Sequence, residues 1–278
     1  MSLYTLGEVA NLQLTTYNSS GVPTDAGAVT LSITQPDGTA ASIGSIAHTA
    51  STGIYTYAFT PTMLGRHKVT WQATGANATV DIHSLDVYGA TIATPAELRA
   101  RFAGGDLSST TTYPDSLLRE ALRGATQQWA DLAQVPPAPW AELITWVGEG
   151  TMARNLPRAE TSSVVLKIDG VLIPPTNYIL TPTGVLQLLG GLFTVFKTCT
   201  AFVTYGLAMP PRPVVDAILQ RATELALGSN VPSRTIAQGG DLGYTRYALA
   251  NKNDGTTGIP DFDATATLYG RATALGFA

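Results

Sequence analysis

The spacing of apolar residues changes near residue 91, and this change restricts the fold more than any other feature of the sequence. Between residues 6 and 90, apolar side chains recur at every second position, which is the period of half-buried strands. After residue 94, long stretches recur at every third and fourth position, as in amphipathic helices. The chain has 278 residues, which is enough for two ordinary domains. We therefore expect a β domain over residues 1–91, followed by a domain of a different kind.

The β pattern consists of about seven short runs separated by turns. The clearest alternating sets are Leu12 and Leu14; Val29, Leu31 and Ile33; Tyr55, Tyr57 and Phe59; Val69 and Trp71; and Val80 and Ile82. Turns are predicted at Pro36-Asp37-Gly38 and over residues 74–77, because these residues turn tightly or tolerate a positive φ. Short strands at this spacing are typical of a β-sandwich.

The second domain begins with a helix-capping signal. Thr94 can cap a helix, and Glu97 stands three residues later, as a capping box requires. Two longer helices are predicted over about 114–135 and 213–228. Between them lie short β-prone runs at 164–168, 178–180, 185–188 and 200–205. This pattern predicts an α+β domain over residues 92–234 that is mostly helical and has a small β-sheet insertion.

Residues 235–278 form a glycine-rich segment with a short helix that starts at Ile259-Pro260-Asp261. Such a segment has few local means of holding itself in place. We expect an extended C-terminal arm that docks on something else.

Charge and cysteine content argue against several classes of protein. Residues 1–91 carry two basic and five acidic side chains, and the remainder carries fourteen and fifteen. Neither part has the basic excess of a protein that grips phosphates, so tight nucleic-acid binding by one copy is not expected. The single cysteine, Cys199, cannot form an internal disulfide, and we predict neither a signal peptide nor a membrane segment. The default expectation is a globular protein that folds in the cytoplasm.

The usual catalytic and metal-binding side chains are sparse. The three histidines, His48, His67 and His83, all fall in the β domain, and His48 has no partner nearby in sequence. Asp81 and His83 lie two apart on one strand, but two ligands do not make a metal site, so a solvated outer face is favoured. Cys199 has no histidine in its own domain to activate it and is predicted to be a buried apolar residue.

The carboxylates are also predicted to be structural. Glu97 caps a helix, and Asp261 and Asp263 are favourable negative charges at a helix start. No nucleophile elbow, P-loop or zinc-protease motif occurs. We therefore predict no enzyme, and no catalytic, metal or cofactor site.

Residues 53–61 and 64–71 resemble the E-to-F region of bacterial and phage immunoglobulin-like domains. His67 stands where a tyrosine often ties the corner of such domains by a hydrogen bond, and an imidazole could make a similar bond. Tyr55, Tyr57 and Trp71 could form a glycan platform, but their strand spacing favours the core.

The order of elements after residue 94 resembles the head-to-tail connector, or adaptor, family of long-tailed bacteriophages. The resemblance covers residues 94–278. It rests on the long helix, the strand pair at Asp169-Gly170, the Val203-Thr204-Tyr205-Gly206 sequence before a proline-led helix, and the segment 257–263. It implies a virion structural protein that forms a dodecameric ring beneath the portal and surrounds double-stranded DNA without binding it specifically.

The resemblance also implies partners. They are other copies of the chain, the portal protein, and a stopper or tail-completion protein, with the capsid as a partner for the immunoglobulin-like domain. The portal interface carried over from the family consists of Arg246, Tyr247, Ile259, Pro260 and Phe262, and the alternative is that these residues pack the arm onto its own domain. The alternative function is a cell-surface or tail-associated adhesin that binds carbohydrate through the immunoglobulin-like domain.

Overall fold

The first domain is a β-sandwich of two sheets. The structure, a computed structural model, describes residues 2–101, 107–227, 236–239, 245–248 and 260–270. The strands of the sandwich are β1 (Ser2–Thr5), β2 (Ala10–Thr15), β3 (Ala28–Thr34), β4 (Ala47–Thr49), β5 (Ile54–Phe59), β6 (Gly65–Thr74) and β7 (Thr79–Tyr88). One sheet has the order β1-β7-β6-β3 and the other β2-β5-β4. Strand β1 runs parallel to β7, and the other neighbours are antiparallel.

Alternation of apolar residues places the core of this domain. Along β6, buried and exposed side chains alternate over the whole strand. In the register with β3, Val69 lies opposite Ile33 and Trp71 opposite Leu31, and all four are buried. Because a shift of one residue would turn this row to solvent, burial fixes the register. The predicted sandwich is thus present in the structure.

Within the described residues, four helices form a second layer: α1 (Pro95–Ala100), α2 (Asp115–Ala133), α3 (Arg212–Leu227) and α4 (Pro260–Tyr269). Helix α1 begins at the predicted capping box, where the Thr94 hydroxyl accepts from the Glu97 amide and the Glu97 carboxylate accepts from the Thr94 amide. The buried faces of α2 and α3 pack against each other and include Leu118, Leu122, Trp129, Val214, Ile218 and Ala222.

Helix α4 packs against α2 and α3 of its own chain. The Phe262 ring is fully buried, Ala266 is buried, and the Trp129 indole N–H donates to the Thr265 hydroxyl over 3.2 Å. Burying one large aromatic side chain stabilises a fold by about 2–3 kcal/mol. The expectation that the arm docks on something else is therefore wrong for residues 260–270.

A second β module lies between α2 and α3. Its strands are β8 (Trp140–Val147), β9 (Ala153–Asn155), β10 (Ser163–Ile168), β11 (Val171–Ile173), β12 (Tyr178–Leu180), β13 (Val185–Leu188) and β14 (Thr198–Tyr205), with a 3₁₀ turn at Pro175–Asn177. They form two antiparallel sheets, β11-β10-β14-β8 and β12-β13-β9. The module encloses a core of its own that includes Leu166, Leu186, Phe193, Cys199 and Val203.

The prediction of a mostly helical domain with a small sheet is therefore wrong about the size of the β part. Strand β8 was not predicted because its burial does not alternate cleanly. The reason is that β8 serves two cores: Trp140 packs with the helical layer, and Trp146 packs inside the module.

The last described strands, β15 (Ile236–Gly239) and β16 (Thr245–Ala248), pair as an antiparallel hairpin. Arg246 lies opposite Gln238 and Tyr247 opposite Ala237. Among the described helices, none combines the length and apolar character that a bilayer-spanning segment requires.

Candidate interaction surfaces

A buried carboxylate joins the sandwich to the helical layer. Asp86, at the end of β7, has only 2% of its side chain exposed. It accepts hydrogen bonds from Arg66 Nε at 2.8 Å and Nη2 at 3.2 Å, and from Arg123 Nε of α2 at 2.6 Å. The bond to Asp86 raises the pKa of the Arg66 guanidinium. Hydrogen bonds between ionised groups are about twice as strong as neutral ones, so this cluster holds β7 against α2.

A second contact lies beside the first. Arg119 of α2 donates to the Leu3 carbonyl at 3.1 Å and to the Glu8 carboxylate at 2.7 Å. Its guanidinium also lies over the Tyr4 ring, 4.6 Å from the ring centroid. Strand β1 is thereby tied to the same helix as β7.

The backbones of the two domains also meet directly. A Cβ on Gly65 would lie 2.0 Å from the Ala141 carbonyl oxygen, and the φ of Gly65 is +109°, so only glycine fits there. The Gly89 amide donates to the Pro139 carbonyl over 2.8 Å. With the ion pairs described above, these contacts join the sandwich and the second domain into one body.

An open cleft of 460 Å³ lies where the sandwich meets β8. Its apolar walls include Pro36, Tyr88, Trp140 and Leu143, and its polar residues include Arg66, Lys68, Gln127, Glu142 and Arg158. Tyr88 and Trp140 stack at a tilt with their ring centroids 4.8 Å apart. Burial raises the pKa of Glu142. The cleft is thus lined by two largely buried aromatic rings and by more cationic than anionic side chains.

A protruding apolar surface lies at the far end of the second β module. We call it the apolar tip and define it by Val147, Val171, Val195 and Phe196, which are 55%, 66%, 47% and 90% exposed. Backbone hydrogen bonds from Gly148 to the Lys197 carbonyl and from Asp169 to the Thr198 carbonyl bring the loops that carry these residues together. The register of the sheet puts Val147 and Val171 on opposite faces, at the same end of the module as Val195 and Phe196. Exposed apolar side chains can form protein interaction sites.

Phe196 is also conformationally unusual. Its φ is +66°, in the left-handed region that is costly for a bulky side chain. The turn at this position is closed by a hydrogen bond from the Lys197 amide to the Thr194 carbonyl, which does not involve the ring. Strain of this kind often occurs at functional positions.

The three histidines have structural surroundings. His67 is fully buried, and burial lowers the pKa of its imidazole against a smaller opposing effect of a backbone hydrogen bond at Gly65. The ring packs edge-on against Phe59. His83 lies 3.3 Å from Asp81, as an exposed face allows.

His48 does have a partner, which the sequence did not reveal. Its Nε2 lies 3.0 Å from Asp25, and its ring stacks on Tyr55. The His48 contact and the amides of Ser51 and Gly53 lower the pKa of Asp25 to about 2. This network ties the loop that carries Asp25 to strand β4 and to the turn at residues 51–53.

The residues carried over as a portal interface that the structure describes lie on two elements, β16 and α4. Arg246 and Tyr247 lie on β16, and Ile259 is outside the described residues. Pro260 is exposed at the start of α4, whereas the Phe262 ring lies in the helical core.

The residues considered for catalysis, metal binding and glycan binding are placed as follows. Cys199 is buried, and burial raises the pKa of its thiol. Within the described ranges, no group of three or more histidine, cysteine or acidic side chains is arranged to hold a metal ion. Tyr55 and Trp71 are buried in the sandwich core, so they do not form a glycan platform.

Comparison with known proteins gives weak likenesses only. No family model and no curated protein matches the chain. The filamin domain of Lin-41 is 12% identical, covers 32% of this chain and 85% of its own, and has a TM-score of 0.28. A chain of the virion of a native gene transfer agent particle is 17% identical over 51% of this chain and 84% of its own, with a TM-score of 0.40. A chain from the neck of an empty gene transfer agent particle is 16% identical over 49% and 81%, with a TM-score of 0.37. Because these TM-scores are below 0.5, the function is inferred from the chain's own residues.

Proposed function

We propose that this chain is a non-enzymatic structural protein of a bacteriophage virion, a head-to-tail adaptor. In this proposal it forms a dodecameric ring beneath the portal, joins capsid to tail and surrounds the DNA exit channel. It would fold in the host cytoplasm before it joins the neck of the particle.

The observation that carries the proposal is the apolar tip. Val147, Val171, Val195 and Phe196 are exposed at one end of the second β module, and burying them against a partner would stabilise an assembly. Surfaces of this kind are covered in assemblies. Exposed apolar side chains of this kind fit a structural role in a particle.

The order of the described elements supports the same proposal. The resemblance to the connector family depended on a long helix, a hairpin at Asp169-Gly170, a strand that ends at Tyr205 and a proline-led helix. The elements α2, β10 with β11, β14 and α3 occur in that order. Asp169 and Gly170 both have a positive φ, as a tight hairpin turn requires.

The near balance of charge in the second domain supports a role around DNA. With fourteen basic and fifteen acidic side chains after residue 91, a ring would contact a passing duplex weakly. DNA can then move through the channel without being held.

The portal contact in this proposal belongs to the β15–β16 hairpin and to Pro260. Phe262 instead serves the helical core, because its ring is buried between α2 and α3. The sandwich, held by Asp86 and Arg123, would lie on the outer rim, where it can contact the capsid or a stopper protein.

Imaging of particles that contain this chain tests the proposal. A label on the sandwich should appear as a ring at the capsid vertex that carries the tail. Labelled copies spread over the capsid or along the tail would overturn the adaptor role. Density for the sandwich inside the channel would overturn only its placement on the rim.

A binding experiment tests the portal contact separately. The full chain with Arg246→Glu and Tyr247→Ala should lose capture by portal rings, whereas a chain with the exposed residue Val22→Ala should keep it. Equal capture of both variants would exclude the hairpin as the portal-binding segment.

A further inference from the structure

Strand β8 forms one edge of the sheet β11-β10-β14-β8, and part of this edge has no strand beside it. The Gly148 amide donates to the Lys197 carbonyl next to β14. Because hydrogen-bonded pairs alternate along an antiparallel ladder, the even-numbered residues of β8 bond to β14. The N–H and C=O groups of Leu143, Thr145 and Val147 therefore point away from β14, and within the described part of the chain they have no hydrogen-bond partner.

The unpaired part of this edge is bounded at both ends. At its start, the Ala141 carbonyl oxygen lies against Gly65 of the sandwich, at 2.0 Å from where a Cβ would stand. At its other end, β8 stops at Val147. Between these limits β8 pairs with β14 residue by residue, without a bulge. Residues 143–147 are thus a regular strand edge that is open to a second strand.

This edge carries none of the usual protection against pairing. Residues 143–147 include no charged residue, proline or glycine. Natural proteins protect exposed edges with charges, prolines and bulges, or by making the edge strand very short. The opposite edge of the same sheet is protected in this way, because β11 has three residues and is followed by Pro174 and Pro175. Strand β8 is therefore suited to accept another strand.

The side chains beside the edge are apolar on the outer face of the sheet. Leu143 and Val147 are 41% and 55% exposed. Leu143 lies opposite Phe202, which in turn lies opposite Val165, and Val165 is 47% exposed. Cross-strand pairs of apolar side chains stabilise sheets. A strand added at β8 would extend this row and cover it further.

Residues 143–147 pair with the same residues of a second copy in one antiparallel register. When Thr145 lies opposite Thr145 of the second copy, Leu143 lies opposite its Val147, and Val147 lies opposite its Leu143. The backbone groups of all these residues point outward, so each pair exchanges two hydrogen bonds. A shift by one residue would bring inward-pointing groups to the contact, and a shift by two would lose one of the three pairs.

The occupant follows from the backbone rather than from side-chain charge. Beyond Val147 lie Lys197 and the Glu149–Arg154 pair, and the cleft beyond Leu143 also carries both signs of charge. These charges favour no particular partner. The edge instead requires an extended strand with outward-pointing groups at alternate residues. Residues 143–147 of a second copy supply such a strand and leave no group of either edge unpaired.

We propose that two copies of the free chain pair along β8, antiparallel and about a two-fold axis at Thr145. Their two four-stranded sheets would then form one continuous sheet. The contact is isologous, so it closes on itself and cannot build a ring. It goes beyond the proposed function, does not depend on it, and describes the chain before assembly. Contacts that bury less than about 1,200 Å² are typical of weak, transient association, which is what five paired residues provide.

Hydrogen exchange of the full chain, followed residue by residue by NMR at increasing concentration, tests the pairing. The amides of Ile144 and Trp146 bond to β14 and should be protected at every concentration. The amides of Leu143, Thr145 and Val147 should exchange rapidly in dilute solution and about tenfold more slowly once the pair forms. Self-association without this alternating protection would overturn the contact. A chain that remains monomeric at about 1 mM would overturn it as well.

A disulfide at the two-fold axis gives a second readout. The Cα atoms of a hydrogen-bonded antiparallel pair are about 5.5 Å apart, which a disulfide can span. Thr145→Cys should therefore form a linked dimer under mild oxidation, with position 145 in both peptides by mass spectrometry. The control is Ser163→Cys on β10, which is exposed on the same face but two strands away, so its copies would be at least about 24 Å apart. The native Cys199 is buried. Equal dimer yields for the two variants would count against the register.

A charge on the edge should prevent the pairing. Thr145→Lys places two like charges directly opposite each other, so self-association measured by sedimentation should weaken by about tenfold or more. The circular dichroism spectrum should stay unchanged, because edge strands tolerate lysine. Thr145→Val and Ser163→Lys should associate like the wild type. Undiminished association of Thr145→Lys, or an equal loss in Ser163→Lys, would refute the pairing along β8.

Discussion

Replacing Asp86 with asparagine should release the sandwich from helix α2. The carboxylate accepts two hydrogen bonds from Arg66 and one from Arg123, and the side chain is almost completely buried. Asparagine keeps the volume of the side chain but removes its charge. The two guanidinium groups then face each other without a counter-ion.

The two arginines contribute unequally to the expected loss. Arg66 is 49% exposed, so its pair is screened by water and contributes about 0–1 kcal/mol. Arg123 is 16% exposed and stays behind as a buried charge without its partner. Breaking a buried pair in this way costs about 3–5 kcal/mol. Native proteins are stable by only about 5–15 kcal/mol, so the loss is a large part of the total.

Urea denaturation followed by tryptophan emission measures this loss. With a slope of about 2 kcal/mol per molar urea, the midpoint should fall by about 2 M. Hydrogen exchange should show protection lost first in β1 and β7, because these strands contact α2. The matched control is Asp81→Asn on the same strand, whose side chain is 49% exposed and contacts His83.

A paired substitution tests the electrostatic explanation. Asp86→Leu together with Arg123→Met replaces the buried pair by apolar side chains of similar size. This double variant should be more stable than Asp86→Asn, because it leaves no buried charge unpaired. Equal midpoints for Asp86→Asn and Asp81→Asn would refute the reasoning, since the carboxylate would then not hold the junction.

Three further outcomes are expected. Gly65→Ala should destabilise the chain by about 3 kcal/mol in the same urea assay, because a Cβ there collides with the Ala141 carbonyl and the φ is positive, and a wild-type midpoint would contradict this. Burial lowers the pKa of His67 below its usual 6.5 in the folded state, so the free energy of unfolding should be highest above pH 6.5. As the pH falls below 6.5, the unfolded chain takes up a proton before the folded chain does, and the free energy of unfolding should decrease by up to about 1.4 kcal/mol per pH unit. His67→Phe should remove this pH dependence, whereas His83→Gln should keep it. Phe196→Asn should raise the thermal stability by about 1 kcal/mol, because asparagine tolerates the left-handed conformation, and a lower melting temperature would argue against strain.

Local patterns predicted the elements whose residues serve one core. The alternation along β6 predicted which side chains face inward, and the period of α2 predicted its buried face. The capping box at Thr94 and Glu97 predicted the first turn of α1. Each of these signals lies within a few residues, so no tertiary information is needed to recognise it.

Other features had no such local signal. Strand β8 was missed because Trp140 and Trp146 pack into different cores, which removes the alternation. Helix α4 looked like part of a loose arm because its main anchor is one aromatic residue, Phe262, which is buried only when α2 and α3 are in place. The partner of His48 is Asp25, which is distant in sequence and close only in the folded sandwich.

The spacing of apolar residues is enough to indicate that a β-sandwich precedes a domain of helices and strands, because this spacing reflects which face of each element leaves water. How these units are joined, and what they expose, depends on contacts between residues that are distant in sequence. Asp86 and Arg123 are brought together by packing between domains, and the cleft exists only between two finished surfaces. Phe196 is exposed because other described parts of the chain leave its ring uncovered, and a local sequence pattern does not show this.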